Sequence, residues 1–282
     1  MATPSLEGQK IVTLLSFILA LITSFYYLGG QGVAGGHQAD SFHLESTPFS
    51  ANFVFLLLFW CAEYLAQIAF LHQLFYGTDD AKKDSLLVTN YLSTFNVLHF
   101  VWTVLLAHQH FVIAEIAVAL NFLLIGALYW SGRTQHLEPP LRYFTIHYSV
   151  SALPFAWALF TLFWTGAIAV HSHDLFGRIV ANIFIWIFFV VPSGALIVFA
   201  DWGFAYASAF LTWGIAVQQI LVKVIALQWI FAIVIALVIT VEAGVTMFTS
   251  GFRGLWHRSP GSAQDMLDRV MPVANEETPL VG

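Results

Sequence analysis

The sequence predicts an all-α fold, a polytopic integral membrane helical bundle of about eight transmembrane helices, and three observations carry that prediction. The 282-residue chain is 59% hydrophobic and only 9% charged, where a soluble domain carries roughly 25% charged residues. Its apolar residues gather into runs of about 20, the length that spans a ~30 Å hydrocarbon core at helical rise. Its Lys and Arg residues, which do not define those runs, sort to one side of the resulting topology.

The runs fall at 11–28, 51–76, 84–107, 111–130, 143–170, 176–200, 202–219 and 223–247. The first follows Lys10 and ends in the aromatic "YYLGG", which suits an interface anchor. A cleaved signal peptide is the alternative there, since "GVAGG" supplies small residues after an apolar stretch. The second and third runs are parted by the charged "GTDDAKKD", and the third and fourth by "HQH". The fifth and sixth contain Pro154 and Pro192, which remove backbone donors and permit kinks. Discontinuous helices of that kind frame midplane sites in some transporters. The last two runs nearly merge, and Gln218, Gln219 and Lys223 mark the turn between them. Residues 1–10 form an N-terminal segment, 11–250 the transmembrane domain, and 251–282 a polar tail expected to be disordered.

Positive charge sets the orientation. With eight spans, one side holds Lys10, Lys82, Lys83, Arg133, Arg142, Arg253, Arg258 and Arg269, and the other only Arg178 and Lys223. Both termini are therefore expected in the cytosol. Histidines sort the opposite way: His37, His43, His108, His110, His171 and His173 fall in three noncytosolic loops, beside Asp40, Glu45 and Asp174. Imidazole and carboxylate suit zinc or copper, which makes His108, His110, His171 and His173 the metal candidates. The same residues would also respond to an acidic lumen, or be ordinary wet-loop polarity. No resident cofactor is expected.

Polar residues inside spans carry more functional weight, because a carboxyl at mid-depth costs roughly 2.5–3.5 kcal/mol on insertion scales. Glu63 stands near the middle of the second run with Gln67 one turn on; the third offers Asn96 and His99, and the fourth Glu115 and Asn121. These six are expected to line one cavity that takes a proton, an ion or a small molecule. Interhelical hydrogen bonding, worth about 0.6 kcal/mol per contact in membranes, is the competing account. Trp157 and Trp164, seven residues apart on one helical face, are an alternative aromatic pocket for a sensor or scaffold.

Several function classes drop out. No lysine sits deep in a span, so a retinal Schiff base has no anchor. Phosphate loops, nucleophile elbows, zinc-protease and dinucleotide motifs are absent, and no enzyme is expected. With no basic footprint, nucleic acid is not a partner; the lipid bilayer and a small ligand are. The tail ends in "EETPLV", where Glu276, Leu280 and Val281 approximate an acidic dileucine sorting signal with Val in the last place. Such a signal would recruit a sorting adaptor and address the protein to an endosomal or vacuolar membrane, the plasma membrane being the alternative.

Two family resemblances follow. The stretches "NYLSTFNVLHFVWTVL" and "HYSVSALPFAWALFTLFWTGAIAV" give residues 50–250 a character that resembles uncharacterised fungal multispanning membrane proteins with a domain of unknown function. The second stretch is also similar to the "Leu-Pro-Phe…Trp…Ala" region of tryptophan-rich sensory, or translocator, proteins, through Leu153, Pro154, Phe155, Trp164 and Ala167. That likeness implies a five-span relative binding tetrapyrroles or sterol-like ligands among aromatic side chains.

Overall fold

A computed structural model describes residues 6–26, 47–135, 137, 140–170, 175–222 and 226–251. Among them are eight helical rods. Three are α1 (Leu6–Ser24), α2 (Phe53–Tyr76) and α3 (Asp79–Ala107). α4 covers Phe111–Trp130, and α5 joins Pro140–Tyr143, a π-helical stretch Phe144–Ala152 and Leu153–Ala169. α6 is broken into Leu175–Phe184 and Ile187–Phe199. α7 (Trp202–Val222) and α8 (Ala226–Thr246, then a π turn over Met247–Gly251) complete the set. Seven rods are long and apolar enough to cross a membrane. The eighth, α3, opens on the charged run from Asp79 to Asp84 and carries Asn90, Asn96 and His99.

Most boundaries lie within a few residues of those read from hydropathy, and the largest differences have local causes. α3 starts at Asp79 rather than 84 because Thr78 caps it, its side chain accepting from Ala81 N, while Asp79 and Asp80 complement the positive end of the helix dipole. Hydropathy reads those charges as loop. α1 starts at Leu6, with Lys10 paired to Glu7 at 3.0 Å one turn back. Asn52 caps α2, its side chain accepting from Val54 N while its own N–H donates to Gly214 O on α7. Gln219 on α7 donates to Thr47 O and Pro48 O, so the entry to α2 is stitched to α7.

The two prolines act differently. Pro154 has no N–H and its ring would meet the carbonyl four residues back in an α-helix. The chain answers by widening: residues 144–152 are π-helical, and Leu153 N donates to Tyr148 O, five residues back. Pro192 lies inside the second half of α6 without breaking it; the break is nearly two turns earlier, at Ile185 and Trp186. α6 then ends on Ala200 in the left-handed region (φ 52°), and Asp201 caps α7 by accepting from Phe204 N at 3.1 Å.

α5 is the central rod: 72% of its apolar window is buried, against 28% for α6 and α8. α1 packs along α3, α3 along α4, α4 along α5, and α7 along α8. Outer faces of α1, α2, α4, α6 and α8 expose large aliphatic side chains such as Leu15, Leu65, Leu123, Ile197 and Val241.

Candidate functional site

The six polar residues expected around one cavity are brought together only in part. α2 and α3 align Glu63, Gln67 and Asn96 in a short relay: Asn96 Nδ2 donates to Gln67 Oε1 at 3.0 Å, and Gln67 Nε2 donates to Glu63 Oε1 at 3.3 Å. All three are buried. The i, i+4 spacing supplies Gln67 from Glu63's own helix, and α3 supplies the far end.

His99, one turn beyond Asn96, belongs to a different set. It lies among Trp60, Trp102, Trp157 and Phe95, with ring centroids 5.2 to 6.1 Å away. Its bonds fix its tautomer. Indole N–H only donates, so Trp157 Nε1, at 3.2 Å, makes Nδ1 an acceptor. Nε2 then carries the proton and donates to Ser24 Oγ at 2.8 Å. Tyr64 gives its hydroxyl proton to Ala20 O (3.2 Å), so the 2.6 Å contact between Ser24 and Tyr64 runs from serine to tyrosine. A directed chain Trp157, His99, Ser24, Tyr64, Ala20 joins α5, α3, α1 and α2.

The aromatic alternative takes a packed form. Trp157 is 1% exposed and Trp164 4%, and Trp102 bridges them with centroids at 5.9 and 6.1 Å while donating to Thr165 Oγ1. The space left beside His99, Trp102, Asn121, Trp157 and Thr161 is about 10 Å³, room for about one water. Asn121 donates to Phe95 O, and its Oδ1 has no partner among the described residues.

Glu115 stands apart from all of these, on the wall of a cavity of about 520 Å³ between α4, α5 and the first half of α6. Phe49, Leu162, Phe163, Val180 and Phe184 supply apolar lining. Gly166 explains how the carboxylate fits against α5: a Cβ there would stand 3.2 Å from Glu115 Oε1. Glu115 Oε2 is buried and has no hydrogen-bond partner among the described residues. The volume falls within the 300–1,000 Å³ typical of small-molecule sites.

Hydropathy reading missed a fourth cluster, at the opposite end of α4 and α5. Asp201 Oδ2 accepts from His147 Nε2 and from Tyr129 OH, each at 2.8 Å, while His147 Nδ1 meets Thr134 Oγ1 at 2.9 Å. Burial alone would raise the Asp201 carboxyl, but the His147 imidazole and the donors from Phe204 and Tyr129 outweigh it and hold it below the usual carboxylate range. Carboxylate, imidazole and hydroxyl stand in the order of a hydrolase triad. Asp201 is 1% exposed and the other two 0%; the cluster ties the α4–α5 loop, α5 and the α6–α7 turn together. An Asp just before an apolar run is an N-cap signal, and that would have singled out Asp201.

Of the metal candidates, His108 and His110 are exposed at the α3–α4 turn, and His108 Nδ1 lies 2.8 Å from Val104 O. His171 and His173 lie outside the described residues, as do Glu276, Leu280 and Val281 of the sorting-signal candidate. Among the described residues no three His, Cys, Asp or Glu side chains gather as a metal site.

A family model described as "Fungal protein of unknown function (DUF1774)" matches residues 178–281. An uncharacterised protein of Schizosaccharomyces pombe is 32% identical over 95 residues, covering 34% of this chain and 35% of the relative. The chain thus spans about a third of the length of that curated relative. No solved structure matches. The likeness to a fungal domain of unknown function therefore has support, over 178–281 rather than 50–250; the likeness to tryptophan-rich sensory proteins has none. The matched stretch contains Asp201 and the cavity-wall residues Val180, Ala181 and Phe184, but not Glu115, Glu63 or His99.

Proposed function

We propose that this chain is a multispanning membrane protein that binds a small, mainly apolar molecule in the cavity between α4, α5 and α6, without catalysing its conversion. One observation carries the reading: a cavity of about 520 Å³ whose described walls are apolar apart from a single carboxylate, Glu115. A few polar groups on apolar walls is the usual make-up of a ligand site. In the orientation that the Lys and Arg distribution favours, α4 begins on the noncytosolic side, so the ligand would enter from the lumen or the outer leaflet. An endomembrane or vacuolar location, with both termini in the cytosol, is part of the same proposal.

The test uses a neutral ligand. Purified protein in nanodiscs is titrated with adamantanol by isothermal calorimetry, alongside Val180→Trp, which fills the cavity from α6. Saturable binding by the wild type, lost in the variant, is expected; heats identical to those of empty nanodiscs would remove the reading.

Proton-linked movement of a solute is a second reading, favoured by Glu63. A buried carboxyl whose neighbours are the amides of Gln67 and Asn96 is suited to changing protonation state. In reconstituted vesicles, Glu63→Gln would abolish pH-driven flux of the cavity's ligand while leaving its binding intact. Unchanged flux would exclude Glu63 from the route.

A further inference from the structure

We propose that the cavity selects a cationic amphiphile, an amine on a compact apolar body, whose ammonium pairs with Glu115. This rests on the preceding reading and names its ligand class.

Among the described residues Glu115 is the cavity's only carboxyl, and it determines the class. Every other described wall residue is apolar or glycine, so among them Glu115 alone can fix the orientation of whatever enters. An ionised carboxylate only accepts hydrogen bonds; its complement is a donor, and a charged donor forms bonds about twice as strong as a neutral one. Glu115 Oε2 is buried and has no such donor among the described residues. Gly166 leaves room for Oε1 where any other residue would crowd it. An anionic ligand would set its charge against a carboxyl on otherwise apolar described walls, and a wholly apolar one would leave that carboxyl without a hydrogen-bond partner.

The described cations are engaged or distant. Lys10 pairs with Glu7, and Arg142 with Asp84 at 2.8 Å. Lys82, Lys83 and Arg133 belong to the other end of α3 and α4; Arg133 is 18 residues beyond Glu115, about 27 Å along a helix. Arg178, next to Gly177 in sequence, enters the test directly as a candidate counter-charge.

Adamantylamine and adamantanol share one rigid cage and differ in the head group, so the ratio of their dissociation constants isolates the charge. In wild-type protein in nanodiscs at neutral pH, the amine is expected to bind at least about tenfold tighter than the alcohol. Glu115→Gln should bring that ratio close to one while adamantanol still binds, which also shows that the variant's cavity is intact. Equal affinities in the wild type, with both ligands excluded by Val180→Trp, would overturn the amine assignment and leave the cavity reading standing. Binding of neither ligand would overturn both. An amine preference that emerges only in Arg178→Gln would make Arg178 the natural partner of Glu115 and overturn the proposal as well. Because the wild-type ratio decides by itself, failure of Glu115→Gln to fold does not rescue it.

Discussion

Replacing Asp201 by alanine should be among the most damaging single substitutions in the chain, and the structure sets the size of the effect. Three donors converge on that carboxylate: Phe204 N at 3.1 Å, Tyr129 OH at 2.8 Å and His147 Nε2 at 2.8 Å. Loss of the cap alone costs about 1 kcal/mol. Bonds to a charged acceptor contribute about 1.5–3 kcal/mol each, non-additively, and breaking a buried pair from one side costs about 3–5 kcal/mol. Asp201→Ala is therefore expected to lose about 3–5 kcal/mol. Asp201→Asn should lose only about 1–2 kcal/mol: its Oδ1 can still cap Phe204, and His147 can change tautomer, accepting at Nε2 and donating to Thr134 at Nδ1. Reversible unfolding in mixed detergent micelles measures both. Because the Asp201 carboxyl is held low in the fold, its contribution is present above the unfolded value near about 4 and fades as pH falls through the lower folded value. The gap between wild type and Asp201→Ala should narrow in that acid range. A loss under about 1 kcal/mol at neutral pH, or a gap that widens in acid, would refute the account of this cluster.

Two further substitutions probe backbone strain and the histidine chain. Ala200 holds a left-handed conformation at the end of α6, which costs a residue with a Cβ about 1–2 kcal/mol; Ala200→Gly should raise stability by up to about 1 kcal/mol, and a lower unfolding midpoint would contradict it. Ser24→Ala removes the acceptor for His99 Nε2 and the donor to Tyr64. It should cost about 1–3 kcal/mol and shift the His99 ring resonances in NMR of specifically labelled protein, whereas unmoved resonances would dissolve the proposed chain.

How much was legible in the sequence depended on whether a feature is local. Hydropathy located the long apolar rods because each is a property of consecutive residues. It truncated α3 because Asp79, Asp80, Lys82 and Lys83 look like loop to a hydropathy scale, although Thr78 and those acids are a favourable helix start. The Gln67–Glu63 contact follows from four-residue spacing. Ser24 and Tyr64 as partners of His99 do not, because they depend on the register of α1 and α2 against α3. The split of the expected cavity has the same origin: α3 adjoins both α2 and α4, but Trp157 of α5 packs among Phe59 and Trp60 of α2 and Trp102 of α3.

Glu63 and Glu115 show why polarity alone was an incomplete guide. The cost of a carboxyl in an apolar setting raises suspicion of both equally, and Glu63, nearer the middle of its helix, raises more. What separates them is the space around each. Glu63 accepts from Gln67, which accepts from Asn96, in a relay closed by packing. Glu115 faces Gly166, with Leu162 and Phe163 of α5 and Val180 and Phe184 of α6 lining the cavity beside it. A buried acid that is already provided for by its neighbours can serve the fold or hold a proton. One placed beside an apolar cavity leaves room for a ligand, and it is this difference that moves the proposed ligand site from α2 to α4.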